Sequence, residues 1–252
     1  MPPEQAVRIQ KVLARAGVAS RRHSEQMIRE GRVTLSGQPI TSLGAKITPH
    51  QYGELRIDGE RLPSAQGSIY VLLHKPAGFI STTSDPRGRP TVLDLLPKGW
   101  PRLFPVGRLD FHTEGLLLLT NDGPLTHSLL HPRFHISKGY EVKVDGVPRP
   151  SSLELLCSGI GSGKERMWAA RAEVLRRGTK KAWLHIEISQ GRYHQIRRMC
   201  ESIGHPVLRL KRVSFGPLEL GGLPQGKWRL LRPEEVDLLN RWAISPPSGQ
   251  KR

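Results

Sequence analysis

Ile9, Val12, Leu13 and Ala16 recur at i, i+3, i+4 and i+7, which predicts an opening helix with one apolar face. Gly17 stands where a left-handed residue would end that helix. Ser20 can cap a second helix from about Arg21 to Glu30, with Met27 and Ile28 turned inward and Gly31 stopping it. Val33, Leu35 and Ile40 flank Ser36-Gly37-Gln38-Pro39 and predict a short hairpin. The Gly/Pro/Ser-bearing stretch Gly59–Ser68 reads as a linker. Beyond it the period changes. An apolar run covers Ile69–His74, and a second, Leu116–Thr120, is closed by Asn121-Asp122-Gly123. Pro124 can then open a helix carrying Leu125, Leu129 and Leu130. Tyr140, Val142 and Val144 alternate with polar residues, as do Ala182, Leu184, Ile186 and Ile188, so each set forms the buried face of a strand. Tyr193–Ile203 turns helical, Val207–Val213 is a further strand, and Pro233 starts a last helix through Val236 and Leu239. The chain thus divides into parts 6–60 and 69–241 with a frayed tail, 242–252. The larger part is α+β with a mainly antiparallel mixed sheet flanked by helices.

Charge narrows the partner. Against 22 Asp and Glu stand 39 Lys and Arg, a net charge of +17 over 252 residues, which favours a polyanion over small acidic metabolites. No run approaches the roughly 18 apolar residues of a membrane span, and the basic start lacks a secretory apolar core, so the expected location is the cytoplasm. Two cysteines, Cys157 and Cys200, exclude a disulfide scaffold and a Cys-based zinc site. Residues 1–46 hold eight Lys/Arg against three Asp/Glu. Arg21 and Arg22 sit in the first turn of the second helix, where cations oppose the helix dipole. A bound phosphate would account for them, because helix-start N–H groups and guanidinium groups together seat an anion.

Three segments could carry chemistry. Val106-Gly107-Arg108-Leu109-Asp110 sets an aspartate in apolar company between turn-permitting glycines. Such a carboxylate needs a cation to stay ionised, or else it caps its own loop as an Asx turn. Ser189–Arg212 holds six basic residues against one acidic. Its Arg192, Tyr193, His194, Gln195, Arg197 and Arg198, continued by Arg209, Lys211 and Arg212, read as a basic, hydrogen-bonding rim facing RNA. Tyr140, at a strand opening, is either core or a base-stacking ring.

The stretch Arg8–Arg22 followed by Ile28–Gly37 resembles the alpha-L (S4-like) RNA-binding module, which implies RNA but no reaction. Leu73-His-Lys-Pro-Ala-Gly, Gly107-Arg-Leu-Asp110 with Thr113–Gly123, Lys138-Gly-Tyr140 and Gly191-Arg-Tyr-His-Gln-Ile-Arg197 resemble the RsuA/RluB family of ribosomal RNA pseudouridine synthases. The resemblance covers about residues 6–240. It implies an isomerase that needs neither cofactor nor metal. Asp110 would be the catalytic aspartate, Arg197 its ionic partner, Tyr140 a ring stacked on the uracil, and Arg108 a holder of the flipped nucleotide. The run from Arg102 to Asp110 and the loop Asp85–Pro90 look closer to the large-subunit, RluB-like branch. The expected partner is therefore 23S ribosomal RNA, free or in an assembling subunit, bound by a monomer. The rival readings are the same reaction on 16S RNA and a non-catalytic ribosome-assembly clamp.

Overall fold

The computed structural model describes residues 6–63, 67–161 and 163–244. It separates into two units between Ser68 and Ile69. In the first, β1 (Val7–Arg8) leads into α1 (Ile9–Arg15), and α2 spans Arg21–Arg29. The apolar stripe of α1 is buried as its spacing requires, with Ile9, Val12, Leu13 and Ala16 all inside. Gly17 adopts φ +78° at the end of α1, and Ser20 caps α2 by accepting the His23 N–H at 3.1 Å. Then β2 (Val33–Leu35) and β3 (Gln38–Pro39) pair around Ser36 and Gly37, both at positive φ, as a tight two-residue hairpin demands. Short β4 (Lys46–Ile47) pairs with β1. The linker expectation is corrected at its start. Asp58 and Gly59, at φ +49° and +85°, make a second tight turn between β5 (Leu55–Ile57) and β6 (Glu60–Arg61). Arg32 clamps that turn through Asp58, Nη2 to Oδ2 2.7 Å. Residues 64–66 of the expected linker lie outside the described residues.

The second unit is a nine-stranded sheet. Its strands are β7 (Tyr70–Lys75), β8 (Phe104–Pro105), β9 (Glu114–Thr120), β10 (Lys138–Asp145), β11 (Arg171–Arg177), β12 (Lys181–Ile188), β13 (Val207–Phe215), β14 (Leu218–Glu219) and β15 (Trp228–Leu230). The order is β11-β12-β10-β13-β9-β7-β15, with β14 on β13 and β8 on β9. Every pairing is antiparallel except β13 with β9, which matches the expected mixed, mainly antiparallel sheet. Helices α3 (Gly123–Leu130), α4 (Pro150–Ser158), α5 (Gln195–Ser202) and α6 (Pro233–Ile244) flank it.

Two apolar layers result from strand alternation. Val71, Leu73, Leu117, Leu119, Val142, Val144, Leu184 and Ile186 pack with Leu156 of α4 and with Ile196, Met199 and Cys200 of α5. Leu72, Leu116, Leu118 and Phe215 pack with Leu125 and Leu129 of α3 and Leu239 of α6. Leu125 and Leu129 of α3 are buried, whereas Leu130 is exposed. Strand β11 carries no clean alternation, and its arginines 171, 176 and 177 suit an edge that must not pair further. Helix α6 runs through Ile244, three residues into the expected tail, and 245–252 lie outside the described residues. Among the described residues no helix is long and apolar enough to cross a membrane.

Candidate active site

The Gly107–Asp110 loop is held from beneath before it enters β9. Ser81 Oγ accepts the Leu109 N–H at 3.1 Å and donates to the Leu109 carbonyl at 2.8 Å. Thr113 N donates to Asp110 O at 3.0 Å and closes the turn. Lys75, wholly buried at the end of β7, directs its Nζ at the carbonyls of Pro76 (3.1 Å), Asp110 (3.1 Å), Phe111 (3.4 Å) and Thr113 (2.8 Å). A buried ammonium that satisfies itself on the loop's carbonyls fixes the Asp110 backbone while leaving its carboxylate to the cavity.

That cavity, about 710 Å³, is lined by Gly107, Arg108, Asp110, Tyr140, Arg192 and Arg212 among others. Asp110 is partly exposed, with His194 Nε2 3.6 Å from its Oδ2. His194 stands at φ +50° just before α5 and stacks on exposed Tyr193, ring centroids 4.0 Å apart. Tyr140 lies on the cavity-facing side of β10, 8% exposed. Arg108 is exposed on the rim and Arg192 is half-buried in the wall.

Several expected site residues fall elsewhere. Arg197 makes no ion pair with Asp110 among the described residues. It lies on α5 close enough to bear on Cys200, and His194 occupies the position beside the carboxylate. Arg198 points away and pairs with Glu165 at 3.3 Å. Alternation along β13 splits the basic run. Lys211 faces Glu141 at 3.7 Å, whereas Arg212 shares the inner side with Leu210 and is only 2% exposed, so it is not a surface phosphate contact. Arg21 and Arg22 are exposed on the first turn of α2, as expected.

Two lysines, buried Lys75 and half-buried Lys138, support the site in a way the sequence reading does not predict. Lys138 Nζ donates to Ile136 O at 2.7 Å and reaches Ser189 O and Gln190 O at 3.3 and 3.5 Å, tying the cavity wall to β10. Burial pushes the Lys75 and Lys138 ammonium groups each down to about 8. The unfolded chain keeps them protonated up to about pH 10.4, so it binds more protons than the folded chain between about 8 and 10.4. Their contribution to stability therefore rises with pH across that window. The stability of the wild type relative to Lys75→Met should increase between about pH 7.5 and about pH 9.5 in thermal melts, and a shrinking difference would contradict this.

Residues 69–202 match the family described as RNA pseudouridylate synthase, and residues 7–51 match the S4 domain. The chain is similar to ribosomal large subunit pseudouridine synthase B of Bacillus subtilis, 42% identical over 94% of this chain and 96% of the relative. It is also similar to an uncharacterized RNA pseudouridine synthase of Aquifex aeolicus, 40% identical over 91% of this chain and 92% of the relative. Among solved structures, a crystal structure of a pseudouridylate synthase superposes with a TM-score of 0.64 at 28% identity, covering 92% of this chain and 99% of that one. A carboxylate presented from a locked loop into a cavity, on a sheet shared with a pseudouridylate synthase and behind an S4 domain, places this chain in the RNA pseudouridylate synthase family of isomerases.

Proposed function

We propose that the chain converts one uridine of 23S ribosomal RNA, free or in an assembling subunit, to pseudouridine in the cytoplasm, and that Asp110 is the catalytic carboxylate. The observation that carries this reading is the partly exposed Asp110 carboxylate in a cavity of about 710 Å³ that Tyr140 also lines, on a loop that Lys75 and Ser81 lock. A clamp that only holds RNA has no use for a carboxylate presented there. The reaction breaks the C1′–N1 bond and joins the same base through C5. The positive charge that develops at C1′ calls for a nearby carboxylate, as in glycoside chemistry. A paired uridine must first leave the stack, at a cost of a few kcal/mol. Tyr140 offers a ring against the extruded base, and Arg108 and Arg192 offer charge at the mouth. The large-subunit substrate is supported by the near full-length similarity to the B. subtilis enzyme. Incubating the purified protein with large- and small-subunit ribosomal RNA and mapping pseudouridines tests it. A new site in the small-subunit RNA alone would overturn the substrate, and none in either would overturn the reading.

Arg197 is proposed to become the ionic partner of Asp110 when RNA displaces His194, since it follows His194 by less than one turn of α5. Arg197→Met should then lower the single-turnover rate about 100-fold or more while RNA affinity stays within a few-fold. A rate near wild type would remove Arg197 from the role of ionic partner.

The S4 unit is proposed to hold RNA through Arg21 and Arg22. Each phosphate contact adds about 0.7 to 0.9 to the slope of log affinity against log salt. Replacing both arginines by Ala should therefore flatten that slope by roughly 1.4 to 1.8 and leave the rate at saturating RNA unchanged. Binding isotherms at several salt concentrations check this, and an unchanged slope would remove these residues from the RNA contact.

A further inference from the structure

Arg212 is the largest side chain in the second unit to be almost wholly buried, and it lines the cavity beside Tyr140, its cross-strand neighbour. Its Nε donates to Leu116 O at 2.8 Å, and its guanidinium carbon lies 5.1 Å from the centre of the Phe215 ring. Its Nη2 is buried and has no hydrogen-bond partner. No carboxylate pairs with it among the described residues. Burying a guanidinium without a counter-ion is costly, and leaving one of its donors unmade adds to the cost. Two more cations, buried Lys75 and half-buried Lys138, lie close enough to feel its charge, and the Tyr140 side chain interacts with its guanidinium. Lys138 and Arg212 line the cavity, and Lys75 lies where Asp110 and Glu114 offset part of its charge, whereas Arg212 has no such carboxylate among the described residues. Packing alone does not explain an unpartnered Nη2 donor beside the cavity, whereas an anion that forms there does.

We infer that Arg212 is a further catalytic residue, whose free Nη2 donor binds a carbonyl oxygen of the uracil and holds the negative charge that the base acquires as it leaves the sugar. The inference rests on the reading that the reacting uridine enters this cavity. When the C1′–N1 bond breaks, its electron pair stays on the base. The charge spreads from N1 to the carbonyl oxygens, where a donor can meet it. The pair is returned when C5 bonds to C1′, after which C5 loses a proton and N1 takes one up. Arg212 keeps its own protons throughout and binds the base more strongly as charge builds, which is the condition for lowering a barrier rather than merely binding substrate. Tyr140, Ile188, Leu210 and Phe215 line the same cavity and offer a ring apolar surface there. A low-polarity surround strengthens the charge-assisted bond.

The test compares Arg212→Lys and Arg212→Gln with the full-length wild type on two RNA substrates, one with uridine and one with 5-fluorouridine at the target. Fluorine withdraws electrons and stabilises the departing base anion by itself, so that substrate depends less on Arg212. Both variants should slow single-turnover conversion of uridine by about 100-fold, the size expected on removing one donor to a developing anion. Loss of the 5-fluorouridine nucleoside, followed by mass spectrometry, should slow by only about 10-fold or less, with RNA affinity within about 3-fold. Arg212→Lys keeps a cation and an aliphatic stem, and it carries the test where Arg212→Gln does not fold. Equal slowing on both substrates would assign Arg212 to structure alone, and a rate near wild type would remove it from the reaction; either result overturns the inference. Wild-type conversion of uridine in the same assay stands or falls separately and reports on the reading beneath it.

Discussion

Asp110→Asn is expected to reduce release of tritium from uracil C5 by more than about a thousandfold in a single turnover. The amide keeps the shape and much of the hydrogen bonding of the carboxylate but removes its charge and its nucleophilicity. The loop should stay in place, because its anchors are backbone carbonyls held by Lys75 and the Leu109 peptide held by Ser81, not the Asp110 side chain. RNA affinity should accordingly remain within a few-fold, since on the proposed reading phosphate contacts by exposed arginines supply it. A variant that releases tritium at the wild-type rate would take Asp110 out of the chemistry. A variant that loses RNA binding as well would mean that the carboxylate supports the fold of the cavity.

Gly115→Ala should cost more stability than any polar substitution in the cavity. Gly115 lies at φ +109°, and a Cβ there would come 2.2 Å from the Arg212 carbonyl oxygen and 2.5 Å from its nitrogen. These are backbone atoms of the one parallel pairing in the sheet, β13 with β9, where Arg212 stands opposite Gly115. A side chain would both strain the backbone and push the two strands apart, for about 3 to 5 kcal/mol in total. At roughly 2 to 4 °C per kcal/mol, the melting temperature should fall by about 6 to 20 °C. The same displacement would move Arg212, so activity should fall below what the lost stability explains. A variant that melts within about 2 °C of wild type would show that β9 and β13 can separate freely.

Much of this arrangement is legible in the chain, and the unread part has identifiable causes. Asp110, Arg108 and Tyr140 line one cavity, and it is the resemblance to the RsuA/RluB family, not the glycines or the strand alternation, that groups them in the sequence. The first-unit helices and their caps follow from spacing and from Ser20 alone. The basic run at 209–212 misled because charge was read along the chain and not across the strand. Leu210 and Arg212 are two apart and so share the inner face, which places a guanidinium in the core and leaves Lys211 outside. Arg198 and Arg197 were grouped with Arg192, yet a helix sends successive residues about 100° apart, and only the start of α5 reaches the cavity. The position of His194 depends on a left-handed backbone that histidine rarely adopts, and no spacing rule signals it. Lys75 and Lys138 look like ordinary strand-end lysines until the carbonyls of distant loops are brought around them.

Pseudouridine mapping across the ribosomal RNA of cells that lack this protein, complemented by wild type or by Asp110→Asn, tests the central claim most directly. The account predicts that one pseudouridine in the large-subunit RNA disappears with the protein, returns with the wild type and stays absent with Asp110→Asn. A large-subunit RNA unchanged by loss of the protein, or a site restored equally by both forms, would contradict it.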